Sequence, residues 1–78
     1  MVHKNALSEK EFRSKFALGL RRARKAAGYT QEQVSGILGI KRSTYTYYEL
    51  GKTAPSPYQI YRLLCLYNIA FEALVLEM

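Results

Sequence analysis

Apolar residues recur along this chain at helical spacing, in segments closed off by small or polar residues. Between residues 9 and 27 the positions Phe12, Phe16, Leu20, Ala23 and Ala27 step by three and four, which predicts one helix with a single buried stripe. Ser8-Glu9-Lys10-Glu11 ahead of it reads as a capping box, in which the serine hydroxyl accepts from the third backbone N–H and Glu11 reaches back to the cap's own N–H. Gly28 suits the stop. The same logic at Thr30-Gln31-Glu32-Gln33 predicts a short helix over 31–38, and Arg42 to Leu50, closed by Gly51, reads as a third.

Ser56-Pro57-Tyr58-Gln59 combines an N-cap serine with a first-turn proline and predicts a helix over 57–67, and a fifth is expected from about Phe71 to Glu77. No segment alternates with the period of a strand. The expectation is an all-α fold: a compact bundle of five helices forming one domain over residues 9–78, after a flexible segment 1–8 that frays.

Val34, Leu38 and Ile40 flank Gly39 and can lock helices two and three across a tight turn, which is the way a small protein presents a helix to the DNA major groove. Charge sharpens the picture. Twelve Lys and Arg against six Asp and Glu give +6, and eleven of the basic residues fall within the first 52 positions. Residues 53–78 hold one basic residue, Arg62, beside Glu72 and Glu77. The first part is built for a polyanion and the second for protein contact.

Other chemistries find little material in 78 residues. One cysteine, Cys65, and one histidine, His3, supply neither a disulfide nor a metal-ligand cluster, so no cofactor is expected. Ser43 and His3 have no acid placed with them, and no enzyme activity is expected. Cys65 reads as a small packing residue rather than a redox switch. Without a signal-like stretch or a long apolar run, the expected location is the cytoplasm, with no membrane contact.

From Leu20 to Val75 the chain resembles the Cro and phage-repressor type of helix-turn-helix protein, the XRE family, whose fold is that of the lambda-repressor-like DNA-binding domain. The resemblance rests on Leu20 and Arg24, on Gly28-Tyr29-Thr30-Gln31-Glu32-Gln33-Val34, and on Gly39-Ile40. It continues through Arg42-Ser43-Thr44, Tyr48-Glu49-Leu50-Gly51-Lys52, Pro55-Ser56 and Leu74. It implies double-stranded DNA as partner and a role in transcription regulation, most simply as a repressor binding a palindromic operator as a homodimer. Arg42, Ser43, Thr46 and Tyr47 would face base edges, with Arg42 able to donate two bonds to guanine. Gln31, Lys41, Lys52 and Arg24 would contact the DNA backbone, and Arg24 with Glu49 would form a salt bridge between helices one and three.

Departures from the family pattern carry expectations of their own. Lys41 stands where a capping Ser or Thr is common and cannot accept from the helix N–H groups, so another group caps the third helix or phosphate does so in the complex. Tyr45 replaces a smaller residue and needs a core with room for its hydroxyl. Ala70 replaces a usual N-cap serine and puts the start of the fifth helix in question.

Apolar residues encircle the fourth helix, whereas a helix on a monomer's surface is apolar along one stripe. Tyr61, Cys65, Leu66, Phe71, Val75 and Met78 are therefore read as a two-fold seam, the alternative being a buried helix in a monomer. A second functional reading fits the same surface: an antitoxin-like module that neutralises a toxin or other protein partner and binds DNA for autoregulation.

Overall fold

The computed structural model describes residues 6–76. Its elements in chain order are α1 (Glu9–Ala27), α2 (Gln31–Leu38), α3 (Arg42–Leu50), α4 (Pro57–Tyr67) and α5 (Glu72–Val75), and no strand occurs among the described residues. His3, Glu77 and Met78 lie outside the described residues.

Local chemistry sets the helix starts. In α1 the Glu11 N–H donates to Ser8 Oγ at 3.1 Å and the Ser8 N–H to Glu11 Oε1 at 2.9 Å, so two orphan donors are satisfied reciprocally. Thr30 and Gln33 repeat the exchange at 2.9 and 3.0 Å ahead of α2. Ser56 Oγ accepts from the Gln59 N–H at 3.2 Å, with Pro57 in the first turn of α4.

Helix ends are equally specific. Gly39 turns left-handed at φ 72°, a conformation that costs glycine nothing, and so carries the chain from α2 into α3 within three residues. Asn68 takes the same backbone role after α4 at φ 55°. The end of α2 has a further brace: Arg62, from α4, donates to the carbonyls of Ile37 at 3.0 Å and Leu38 at 3.3 Å. A cation is favourable at that terminus, where the helix dipole concentrates negative charge.

The core joins α1 (Phe16, Leu20), α2 (Val34, Leu38), α3 (Tyr45, Tyr48), α4 (Leu63, Tyr67) and Leu74 of α5. Its stripe on α1 differs from the expected one at the C-terminal end, where Ala27 is exposed, and gains Ala17 and Gly19. Gly19 is required by its neighbour. A Cβ there would stand 2.7 Å from the Leu74 carbonyl carbon and 2.8 Å from its Cα, so α5 crosses α1 backbone against backbone. Tyr45 finds the room its hydroxyl needs in an unforeseen way, against the hydroxyl of Tyr67 at 2.7 Å.

Helix α5 is shorter than the expected 71–77. Phe71 already has helical dihedrals, no side chain caps the start, and Leu76 turns extended at φ −96°, ψ 136°. Ala73 and Leu74 bond back three residues, to Ala70 at 3.0 Å and Phe71 at 2.9 Å, a tightened first turn in place of a cap. Cys65, read as a packing residue, is exposed. The apolar circumference of α4 is thus only partly internal: Leu63 and Tyr67 are buried, while Tyr58 and Tyr61 are 65% and 62% exposed.

Candidate nucleic-acid interface

The second and third helices present their outer faces together. On α3, Arg42 and Ser43 are exposed, Tyr47 is 43% exposed and Thr46 is half-buried, while Tyr45 and Tyr48 point into the core. That division follows from the helical period, which sends residues 45, 48 and 49 inward and 42, 43, 46 and 47 to the rim and outside. Gln31, in the first turn of α2, is half-buried beside them.

Lys41, at the N-cap of α3, is exposed and makes no capping hydrogen bond, and no other side chain supplies one. The N-terminal amides of α3 therefore keep their donor capacity beside three successive polar side chains. At the other end of the helix Lys52 Nζ lies 5.2 Å from the centre of the Tyr47 ring, within range of a cation–π attraction.

Behind this surface a charged brace holds the two helices in place. Arg24 Nε donates to Glu49 Oε2 at 2.7 Å and Arg24 Nη2 to Glu49 Oε1 at 3.2 Å, a paired contact suited to the planar guanidinium. Arg24 Nη1 donates to the Tyr29 carbonyl at 3.0 Å, fixing the chain just before α2. The side chains of Arg24 and Glu49 are 11% and 2% exposed, so Arg24, expected at the DNA backbone, lies behind the outer face of α3 rather than on it.

The brace continues outward. Gln31 Nε2 donates to Glu49 Oε1 at 3.0 Å, and Thr46 Oγ1 donates to Gln31 Oε1 at 2.9 Å. Burial alone would raise the pKa of Glu49, but hydrogen bonds from Arg24, Tyr45 and Gln31 outweigh it and hold the carboxyl below its ordinary range. The hydrogen bond to Glu49 in turn raises the pKa of Arg24 against the opposing effect of burial.

Sequence reading paired Arg24 with Glu49 but did not find the links to Gln31 and Thr46. The available signal was the three-residue step from Thr46 to Glu49 on α3, which puts both on one side of the helix. The remaining sequence-derived positions, Lys41, Arg42, Ser43, Tyr47 and Lys52, all lie on α3 or immediately beside it.

Among the described residues no group of three His, Cys, Asp or Glu side chains is placed to hold a metal ion, and no helix is long and apolar enough to cross a membrane. Searches of curated proteins and of solved structures return no match. A helix-turn-helix family model matches residues 20–74, a span that runs from the middle of α1 to Leu74 and takes in the brace, the turn at Gly39 and the whole of α3. The chain belongs to the helix-turn-helix family of the Cro and phage-repressor type and carries a DNA-binding domain of the kind found in transcription regulators.

Proposed function

We propose that the chain is a transcriptional repressor that binds a pseudo-palindromic operator as a homodimer, each copy laying α3 in the major groove. The observation that carries this reading is the N-terminal turn of α3: exposed, uncapped by any side chain, and bearing Lys41, Arg42 and Ser43 while the opposite side of the helix is anchored by Glu49. Arg42 reads guanine, Ser43, Thr46 and Tyr47 contact neighbouring base edges, and Lys41, Lys52 and the second N–H of Gln31 Nε2 bind phosphate. Half-sites stand one helical turn apart, about 34 Å. Regulation is by occupancy of the operator.

The deciding experiment is selection of bound sequences from a random duplex pool, with Arg42→Ala alongside. A two-fold motif that the variant loses, while its unfolding free energy stays within about 0.5 kcal/mol, supports a sequence-specific regulator. A motif that survives Arg42→Ala removes that residue from base readout. Affinity for the selected site should fall roughly a thousandfold or more between about 50 and 200 mM salt.

Exposure of Tyr58, Tyr61 and Cys65 on α4 favours a protein contact there. In the homodimer this is the two-fold seam, with Tyr61, Cys65, Leu66, Phe71 and Val75 contributing. The antitoxin-like reading uses the same surface for a different chain. Sedimentation of the purified protein alone separates them: a concentration-dependent dimer favours the first, and a monomer that gains mass only with a co-expressed partner favours the second.

A further inference from the structure

Thr46 stands one turn beyond Arg42 on α3, half-buried, with its hydroxyl donating to Gln31 Oε1 at 2.9 Å. The direction of that bond is imposed from the protein interior. Glu49, ionised by its paired contact with Arg24, is a carboxylate that can only accept. Gln31 must therefore turn its amino group to Glu49, at 3.0 Å, and its carbonyl to Thr46. A carbonyl oxygen has no proton to give, so Thr46 supplies the one it has. What remains of the hydroxyl is acceptor capacity alone.

We infer that Thr46 is a specificity-determining residue whose hydroxyl accepts a hydrogen bond from an exocyclic amino group in the major groove, and that Gln31 is the positioning residue that sets this polarity. The inference rests on the reading that α3 enters the major groove. Cytosine N4 and adenine N6 offer donors there, whereas guanine O6 and thymine O4 offer acceptors. A threonine hydroxyl ordinarily serves either kind, because it can rotate to donate or accept. Here the network Arg24–Glu49–Gln31–Thr46 removes that freedom, so Thr46 selects adenine or cytosine on the contacted strand and rejects guanine and thymine.

The test extends the random-duplex selection to Thr46→Val, Thr46→Ser and Gln31→Met, with Arg42→Ala as the reference variant. The unmodified chain should show, in each half-site, one position held by adenine or cytosine with a preference of about fivefold, the size of one hydrogen bond. Thr46→Ser keeps the hydroxyl and should keep that preference. Thr46→Val should lose it at that position and nowhere else. Gln31→Met leaves Thr46 in place but frees its proton, so guanine and thymine should enter the same position; the lost phosphate contact lowers affinity for all sequences alike, and the base preferences at the other positions hold. Because Gln31→Met reads the same position, the assignment does not depend on Thr46→Val folding.

A Thr46→Val motif identical to that of the unmodified chain, in a pool where Arg42→Ala has lost its motif, overturns the role of Thr46 and leaves the groove reading intact. A Gln31→Met motif unchanged at that position overturns the polarity mechanism. No enrichment by the unmodified chain overturns the groove reading and this assignment together.

Discussion

Arg24 and Glu49, twenty-five residues apart in the chain, meet Nε to Oε2 at 2.7 Å, and the paired contact ties the end of α1 to the end of α3. Two charges taken this far from water are costly unless they satisfy each other, so the pair holds both helices to one relative placement. The exposed face of α3 inherits that placement.

Arg24→Met keeps the stem and removes the charge, leaving Glu49 ionised at 2% exposure without its main partner. The expected loss is about 3 to 5 kcal/mol in urea denaturation. Replacing both residues with apolar ones of similar volume should recover much of it, since the penalty lies in the orphaned charge. A single variant that costs under about 1 kcal/mol would mean that solvent reaches Glu49 and the brace is superficial.

Acid should release the same brace. Glu49 has a folded pKa below its ordinary value, so its contribution is fully present above the unfolded carboxylate range, about 4.3, and is lost as pH falls through the folded value. The stability difference between the unmodified chain and Glu49→Gln should be largest near pH 6 and shrink steadily toward pH 3. A difference independent of pH would remove the charge of Glu49 from the account.

The tyrosine pair predicts the opposite limb. Burial pushes the Tyr67 hydroxyl up to about 12 and holds Tyr45 higher still. Protons bound in the folded state are released on unfolding once pH exceeds about 10, so stability falls as pH rises beyond that point. Tyr45→Phe or Tyr67→Phe alone should cost about 1 to 3 kcal/mol by stranding the other hydroxyl, and the double variant should cost less than the two together. It should also show a shallower alkaline decline in a pH series of thermal melts.

Gly19→Ala tests the crossing of α5 over α1. The added methyl meets Leu74 backbone atoms at 2.7 and 2.8 Å, and backbone cannot swing aside as a side chain does. The gain in helix propensity, about 1 kcal/mol, should be outweighed by overpacking, with a net loss of about 1 to 3 kcal/mol. A variant more stable than the parent would show that α5 is loosely held.

Helices one, two and four were legible because their signals are local: a capping side chain three residues from its amide, an apolar step of three or four, and a residue fit for the left-handed turn; α3 offers only the last two, its turn at Gly51. α5 was misjudged in length, since Ala70 gives no cap and the segment is held by contact with Gly19, a relation no window of sequence contains. The pair Arg24 and Glu49 was legible through family resemblance. Gln31 and Thr46 were read only as groups facing DNA, because a bond between two helices depends on their crossing, which periodicity does not specify. The Tyr45 hydroxyl announced a need, but its partner twenty-two residues away emerged only from the packed core.

Arg62 is the one base between residues 53 and 78, and its guanidinium is turned onto the carbonyls of Ile37 and Leu38. The consequence is electrical. With that cation engaged at the end of α2 and Glu72 as the other charge described in this half, α4 and α5 contribute little charge of their own, whereas α1 carries seven basic residues against two acidic ones. Ionic strength therefore acts unequally along the chain: dissolved salt screens what the basic residues attract and bears little on the exposed tyrosines of α4. Moderate salt is thus a dial that loosens this protein's hold on a polyanion without acting on its uncharged surface.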